Sequence, residues 1–197
     1  ISIVIHGVKW LHMPHCKIAC QIQRNRCQHQ NRIFPLSPEY HITREVKYRI
    51  NIDTEGHFKG ILKENDHVIT TYAEHNSVLR PLYELEEKGI ITLTICAPYL
   101  ENIKNHIQKN TRMVIMTHSS NVTGEIFDVD LIGQYCKECG VLFMVDAAQS
   151  AGHIPVSMEN IDVLCFSGHK GLLGIGGIGG FCVKDMEVKP LISGGTG

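Results

Sequence analysis

The sequence predicts an α/β fold built on a mostly parallel sheet, and three observations predict it. Short apolar runs recur from residue 67 to 166, each bounded by Gly, Pro or polar residues, as strands buried on both faces are. Stretches with apolar residues at helical spacing alternate with them, giving the order strand, helix, strand, helix, strand, helix, strand, linker, strand. Two of the runs end in reactive residues: Val141 to Val145 leads into Asp146, and Asp162 to Phe166 into Ser167-Gly168-His169-Lys170. Ligands of open α/β sheets bind at the carboxyl ends of the strands, so a site is expected there.

The elements follow in order. Lys59 to Lys63 reads as the end of a helix, Glu64-Asn65-Asp66 as the turn after it, and HVITT (67–71) as a strand. Asn76 or Ser77 is suited to cap a helix whose apolar face is Val78, Leu79, Leu82 and Leu85, with Pro81 in its early turns and Gly89 at its end. Ile90 to Ile95 is β-branched and reads as a strand. Leu100, Ile103 and Ile107 keep a helical spacing, and Arg112 to Met116 forms the next buried strand. A loop from His118 to Gly124 follows, then a helix opened by Asp128, with Leu131, Ile132, Tyr135 and Cys136 on one face and Gly140 closing it. FCVKD, after the glycines at 174 to 180, reads as a further strand. Residues 1–58 show no sustained period and are left unassigned, so 59–197 is the interpretable unit.

Composition narrows the classes of function. The chain has 197 residues, 43% apolar and 20% charged, which is ordinary for a soluble globular protein. A formal net charge of −1 offers no general attraction for nucleic acid or an anionic membrane. No apolar run approaches the ~20 residues that span a bilayer. The start, ISIVIHGVKWLHMPH, lacks a basic region ahead of its apolar residues and makes a poor signal peptide. Eight cysteines without framework spacing fit reduced thiols and a cytoplasmic location.

Lys170 follows small residues and precedes GLLGIGG, which leaves space for a ligand against it. A lysine in a dry pocket has its ammonium form disfavoured and becomes an amine nucleophile, a common use being Schiff-base formation with pyridoxal 5'-phosphate (PLP). Asp146 suits the same cofactor, whose pyridine nitrogen must stay protonated beside a carboxylate. Taken alone, Asp146 reads first as a cap for Ala147-Ala148-Gln149, and it is the pairing with Lys170, each ending a buried strand, that shifts the balance. Ser167 and His169 carry donors for a phosphate, while a helix N-terminus to assist them is not locatable.

Three other patterns compete. Gly174, Gly176 and Gly179 spell G-x-G-x-x-G, but a strand follows where the dinucleotide fingerprint needs a helix. Cys136-x-x-Cys139 has a redox or half-zinc spacing, yet lies at a helix end without a second pair, so packing is its expected use. Cys16, Cys20, Cys27, His12, His15 and His29 fit no zinc spacing, and no metal site is expected.

VDAAQSAGHIPV followed by LCFSGHKGLLGIGGIGG resembles the class V aminotransferases, and among them the cysteine desulfurases and selenocysteine lyases. AEHNSVLRP resembles that family's E-H-x-S segment, and THSSNVTGEI its S-N-x-T-G loop. The resemblance runs from about residue 59 to 197 and implies the large domain of a PLP-dependent transferase fold, with the small C-terminal domain absent. It implies that Asp146 pairs with the pyridine nitrogen and that Gln149 and Asn121 contact the ring oxygen. It further implies that His75 stacks on the ring, that Lys170 holds the cofactor and that Ser167 and His169 bind its phosphate. Lys170 and His75 are the implied catalytic residues. The implied reaction is conversion of L-cysteine to L-alanine with sulfur left on the enzyme, passed in turn to a sulfur-acceptor protein by a homodimer. Two departures stand beside this. Residues 1–58 do not match the family's opening, where Thr54-Glu55-Gly56 is too poor a match for its phosphate-binding turn. No cysteine here lies in a matching sulfur-accepting motif, and the carboxylate-binding arginine lies in a region beyond this chain. An inactive relative serving as a binding module, or an aminotransferase proper, therefore remain as alternatives.

Overall fold

The structure is a computed structural model. It describes residues 61–174 and 179–184 in full and residues 2–5 and 8–12 as backbone. Its main body is a six-stranded sheet in the order β4-β3-β5-β6-β7-β8. The strands are β3 (Asp66–Thr71), β4 (Ile91–Cys96), β5 (Thr111–Thr117), β6 (Leu142–Asp146), β7 (Val163–Ser167) and β8 (Gly179–Val183). All neighbours are parallel except β7 and β8, which run antiparallel. Among the described residues three helices alternate with them: α1 (Asn76–Glu87), α2 (Leu100–His106) and α3 (Val129–Glu138). A separate antiparallel pair, β1 (Ser2–Ile5) and β2 (Val8–His12), lies in the segment that sequence pattern left unassigned.

The predicted α/β architecture with a mostly parallel sheet is what forms, and alternation of side chains explains how the inner strands are buried on both faces. Successive strand residues point to opposite faces. Met113 and Ile115 of β5 join Val78, Leu82 and Leu85 of α1 in one apolar cluster. Val114 and Met116 join Ile103 of α2 and Ile132 and Cys136 of α3 in a second. Continuous apolar runs are the sequence image of this two-sided packing. Gly89 and Gly140 leave α1 and α3 with φ of 69° and 68°, a region in which glycine carries no steric penalty.

Local bounds differ from sequence expectation by one or two residues, the strand expected at 181–185 forming at Gly179–Val183, and two local features differ in kind. Residues 61–63 are irregular rather than a helix end, because the Lys63 amide donates to Oδ2 of Asp66 (2.8 Å) instead of to a preceding turn. Residues 59 and 60 lie outside the described residues. The cap of α1 is His75 rather than Asn76 or Ser77: its side chain accepts the amide of Ser77, leaving Asn76 as the first helical residue. Also outside the described residues are Thr54-Glu55-Gly56, the amino-terminal Cys and His side chains, and Gly176 of the glycine run. No described helix is long and apolar enough to cross a membrane.

Candidate active site at the carboxyl edge of the sheet

Because β3, β5, β6 and β7 are parallel, the residues that follow each of them emerge at one edge. There His75, Asn121, Asp146, Gln149 and Lys170 line a single cleft enclosing about 440 Å³, part of it open to solvent. Five side chains spread over nearly a hundred residues of sequence thus line one cleft.

Asp146 is the floor. It ends β6, stands in register with Thr117 at the end of β5, and is buried. Its backbone carbonyl accepts the amide of His118 (2.9 Å), and its Oδ1 accepts the amide of Ala148 (2.8 Å). The capping role and the carboxylate role read from sequence are therefore compatible, since one oxygen serves the turn. Burial pushes the carboxyl above its ordinary range. The Ala148 amide, Lys170 and His75 all act the other way, and all favour the anion.

His75 caps α1. Its Nδ1 accepts the Ser77 amide (3.1 Å) and lies 2.9 Å from the Ser77 hydroxyl. An acceptor at Nδ1 places the proton of the neutral ring on Nε2. The N-terminus of α1 accordingly borders the cleft, with Ser77 in its wall.

Lys170 lies in a tight turn after β7. The Leu173 amide donates to the Lys170 carbonyl (2.9 Å) and the Gly174 amide to that of Gly168 (2.7 Å). Small residues here were expected to leave room for a ligand. At Gly171 the room is taken by the chain itself: a Cβ there would stand 2.4 Å from the Ala151 carbonyl oxygen. Gly152, at φ 91°, answers it, since its Cβ would stand 2.2 Å from the carbonyl carbon of Gly171. Two glycines thus let the segment after Gln149 lie directly against the turn that carries Lys170.

Asn121 projects from a loop folded by its own groups. The Ser120 hydroxyl accepts the amides of Val122 and Thr123 (both 3.2 Å), and Ser119 bridges Ile126. Ser167 and His169 are placed differently from the other five. Ser167 is buried, its hydroxyl lies 3.0 Å from Nδ1 of His169, and neither lines the cleft.

Sequence reasoning took Ser77 only as a helix-cap candidate and passed over Thr117 and Glu74. Glu74 stands in the AEHNSVLRP segment, but no role was read for it there, because a glutamate in a polar loop before a helix reads as solvated. In the structure it is buried between the ends of β3 and β5.

The donor set suits a charged aromatic cofactor. A buried carboxylate, an amine, an imidazole and two carboxamides surround one space. Among the described residues no group of His, Cys, Asp and Glu gathers to hold a metal ion.

The sequence model of the aminotransferase class-V family matches residues 49–197, beginning within the amino-terminal segment that shows no period of its own. The cysteine desulfurase IscS of Buchnera aphidicola (subsp. Acyrthosiphon pisum, strain 5A) is 40% identical over 135 residues, 64% of this chain and 33% of that one. The chain therefore spans about a third of the length of this curated relative. The apo structure of a cysteine desulfurase from Thermococcus onnurineus NA1 superposes with a TM-score of 0.62 at 31% identity, over 75% of this chain and 36% of that one. A structure of SspA in complex with cysteine gives 0.67 at 30% identity, over 80% and 46%. The order of strands, the convergence at their carboxyl edge and a family match over most of the length agree: this chain belongs to the class-V aminotransferase family.

Proposed function

We propose that this chain is the PLP-binding part of a cysteine desulfurase-like enzyme, which takes L-cysteine to L-alanine and retains the sulfur. The observation that carries the reading is the convergence of Lys170, Asp146, His75, Asn121 and Gln149 on one cleft. Relatives named cysteine desulfurase, and a structural neighbour bound to cysteine, support the substrate class. A sulfur-acceptor protein as partner, a homodimeric assembly and a cytoplasmic location belong to the same reading.

Each residue then has a task. Lys170 would supply the amine that holds the cofactor and would move a proton to and from the substrate α-carbon. Asp146 keeps a proton on the pyridine nitrogen, its charge favoured by the Ala148 amide and Lys170. His75 presents its ring to the cofactor and has Nε2 free to exchange a proton, because Nδ1 is engaged by Ser77. Asn121 and Gln149 offer amide donors to the ring oxygen. Ser167 and His169 would hold the phosphate as a bonded pair. PLP, when bound, supplies an electron sink for charge developing at the substrate α-carbon.

The test is absorbance of the purified chain titrated with PLP. A new band near the visible edge that Lys170→Ala abolishes is the expected result. No band, or the same band in Lys170→Ala, overturns the reading. Alanine released from L-cysteine by the loaded protein then distinguishes a desulfurase from an inactive relative, and amino transfer to a keto acid marks an aminotransferase proper.

A further inference from the structure

Glu74 is the one group in the described structure whose buried side chain leaves a polar atom unmatched. Oε1 accepts two short hydrogen bonds, from the Thr71 hydroxyl and from the Thr117 amide (both 2.7 Å). Oε2 is buried without a partner among the described residues. The two bonds are informative. Thr71 is the last residue of β3, so beyond it β5 has lost its neighbour on that side, and the carboxyl of Glu74 takes the Thr117 amide in the strand's place. Thr117 in turn stands in register with Asp146, and its hydroxyl reaches the Ser119 carbonyl (2.9 Å) in the cleft wall. On its other side Glu74 is bonded directly to His75 in sequence. One carboxyl therefore joins the strand end beside the floor of the cleft to the residue that caps α1.

We propose that Glu74 is a positioning residue of this site, an uncharged carboxyl bracket that sets His75 relative to Asp146 and leaves Asp146 as the anion beneath the cofactor. It rests on the PLP reading above. Geometry favours the neutral form: a carboxylate would bury its charge on an oxygen that has no hydrogen-bond partner among the described residues, near the carboxyl of Asp146. Asp146 is the charged group that faces Glu74, and Asp146 itself feels Lys170 and His75. Burial foremost pushes Glu74 up from about 4.5 to about 8, while its two hydrogen bonds oppose the shift. The unfolded chain gives up this proton near 4.5 and the folded chain keeps it until about 8. The stabilisation is therefore complete below the lower value and is lost as pH rises toward the upper one.

Two variants decide the matter. Glu74→Gln keeps an oxygen for both bonds and is uncharged at every pH; Glu74→Ala removes the bracket. With PLP as the probe, Glu74→Gln is expected to bind within about threefold of the wild type and Glu74→Ala at least roughly tenfold more weakly. Without PLP, the melting temperature of the wild type minus that of Glu74→Gln is expected to fall between pH 5 and 8. Binding in Glu74→Gln as weak as in Glu74→Ala shows that the charge is needed and overturns the proposal. Wild-type binding in Glu74→Ala, or a difference in melting temperature independent of pH, overturns it as well. Should Glu74→Ala not fold, Glu74→Gln decides by both readouts. If the wild type binds no PLP, the cofactor reading fails by itself, and the melting comparison still reports on the uncharged bracket.

Discussion

Alanine in place of Gly152 should cost far more than alanine in place of Gly140, although both glycines sit at positive φ. At Gly140 (φ 68°) a Cβ meets nothing within 4 Å, so only the left-handed backbone is strained, at about 1–2 kcal/mol. At Gly152 (φ 91°) the same strain is joined by contact: the Cβ would lie 2.2 Å from the Gly171 carbonyl carbon, 2.3 Å from its oxygen and 2.7 Å from the Leu172 amide nitrogen. These are backbone atoms and cannot swing aside as a side chain does. Overpacking of this kind adds about 1–3 kcal/mol. The sum, about 2–5 kcal/mol, is a large share of the ~5–15 kcal/mol that holds a typical domain. Relief comes by pushing back residues 171 and 172, directly after Lys170, so the damage is expected to reach the cleft. Urea denaturation followed by circular dichroism measures the first effect, and PLP titration the second. Gly152→Ala should lose the larger stability and bind PLP roughly tenfold or more weakly, while Gly140→Ala loses about 1–2 kcal/mol and binds normally. Equal losses in the two variants would refute the close approach of the two segments.

Two further outcomes are expected. Thiol labelling of the folded protein, read residue by residue by mass spectrometry, should modify exposed Cys139 well before Cys136. The latter is fully buried, and burial foremost pushes its thiol up to about 12, leaving a thiolate fraction on the order of 10⁻⁴ at pH 8. His67 bridges Thr111 (2.8 Å) and Thr94 (2.9 Å) with its two nitrogens, and burial followed by His106 lowers its pKa below 6.5. The unfolded chain takes up that proton first, so His67 stabilises the fold above pH 6.5 and this is lost as pH falls, at up to about 1.4 kcal/mol per pH unit. Glu74 acts in the opposite sense over part of that window. The readout is therefore the wild-type stability minus that of His67→Gln, which should shrink from pH 7 to 5. A constant difference would show that His67 titrates alike in both states.

The inner strands were legible because they are buried on two faces, and two-sided burial writes a continuous apolar run; edge strand β4, partly exposed, was legible from its β-branched residues instead. Their ends were less so: β6 extends to Asp146 and β7 to Ser167, one residue beyond the apolar runs, because backbone pairing does not stop where apolar side chains do. The cap of α1 was misplaced for a related reason. Histidine is a rare cap, and its Nδ1 does here what the Asn and Ser beside it are usually chosen for. Among site residues, Lys170, Asp146, Gln149, Asn121 and His75 were readable from local motifs in the family's order. Ser167 and His169 were readable as a motif too, but their bond to one another is a matter of rotamers, which residue types do not specify.

By itself, then, the sequence determined the α/β class, the strand order in the chain and the family, and it offered candidate groups for a cofactor, because those depend on periodicity and on short contiguous motifs. Only the tertiary structure decided what lies between the motifs. It brought Gly152 against Gly171 and so seated the Lys170 turn. It also buried Glu74 between the ends of two parallel strands, 43 residues apart at Thr117, and made a surface-like glutamate a buried bracket. Both depend on close approach of segments distant in the chain. A residue's burial, and with it the protonation of its carboxyl, is set by what the rest of the fold packs around it rather than by its neighbours in sequence.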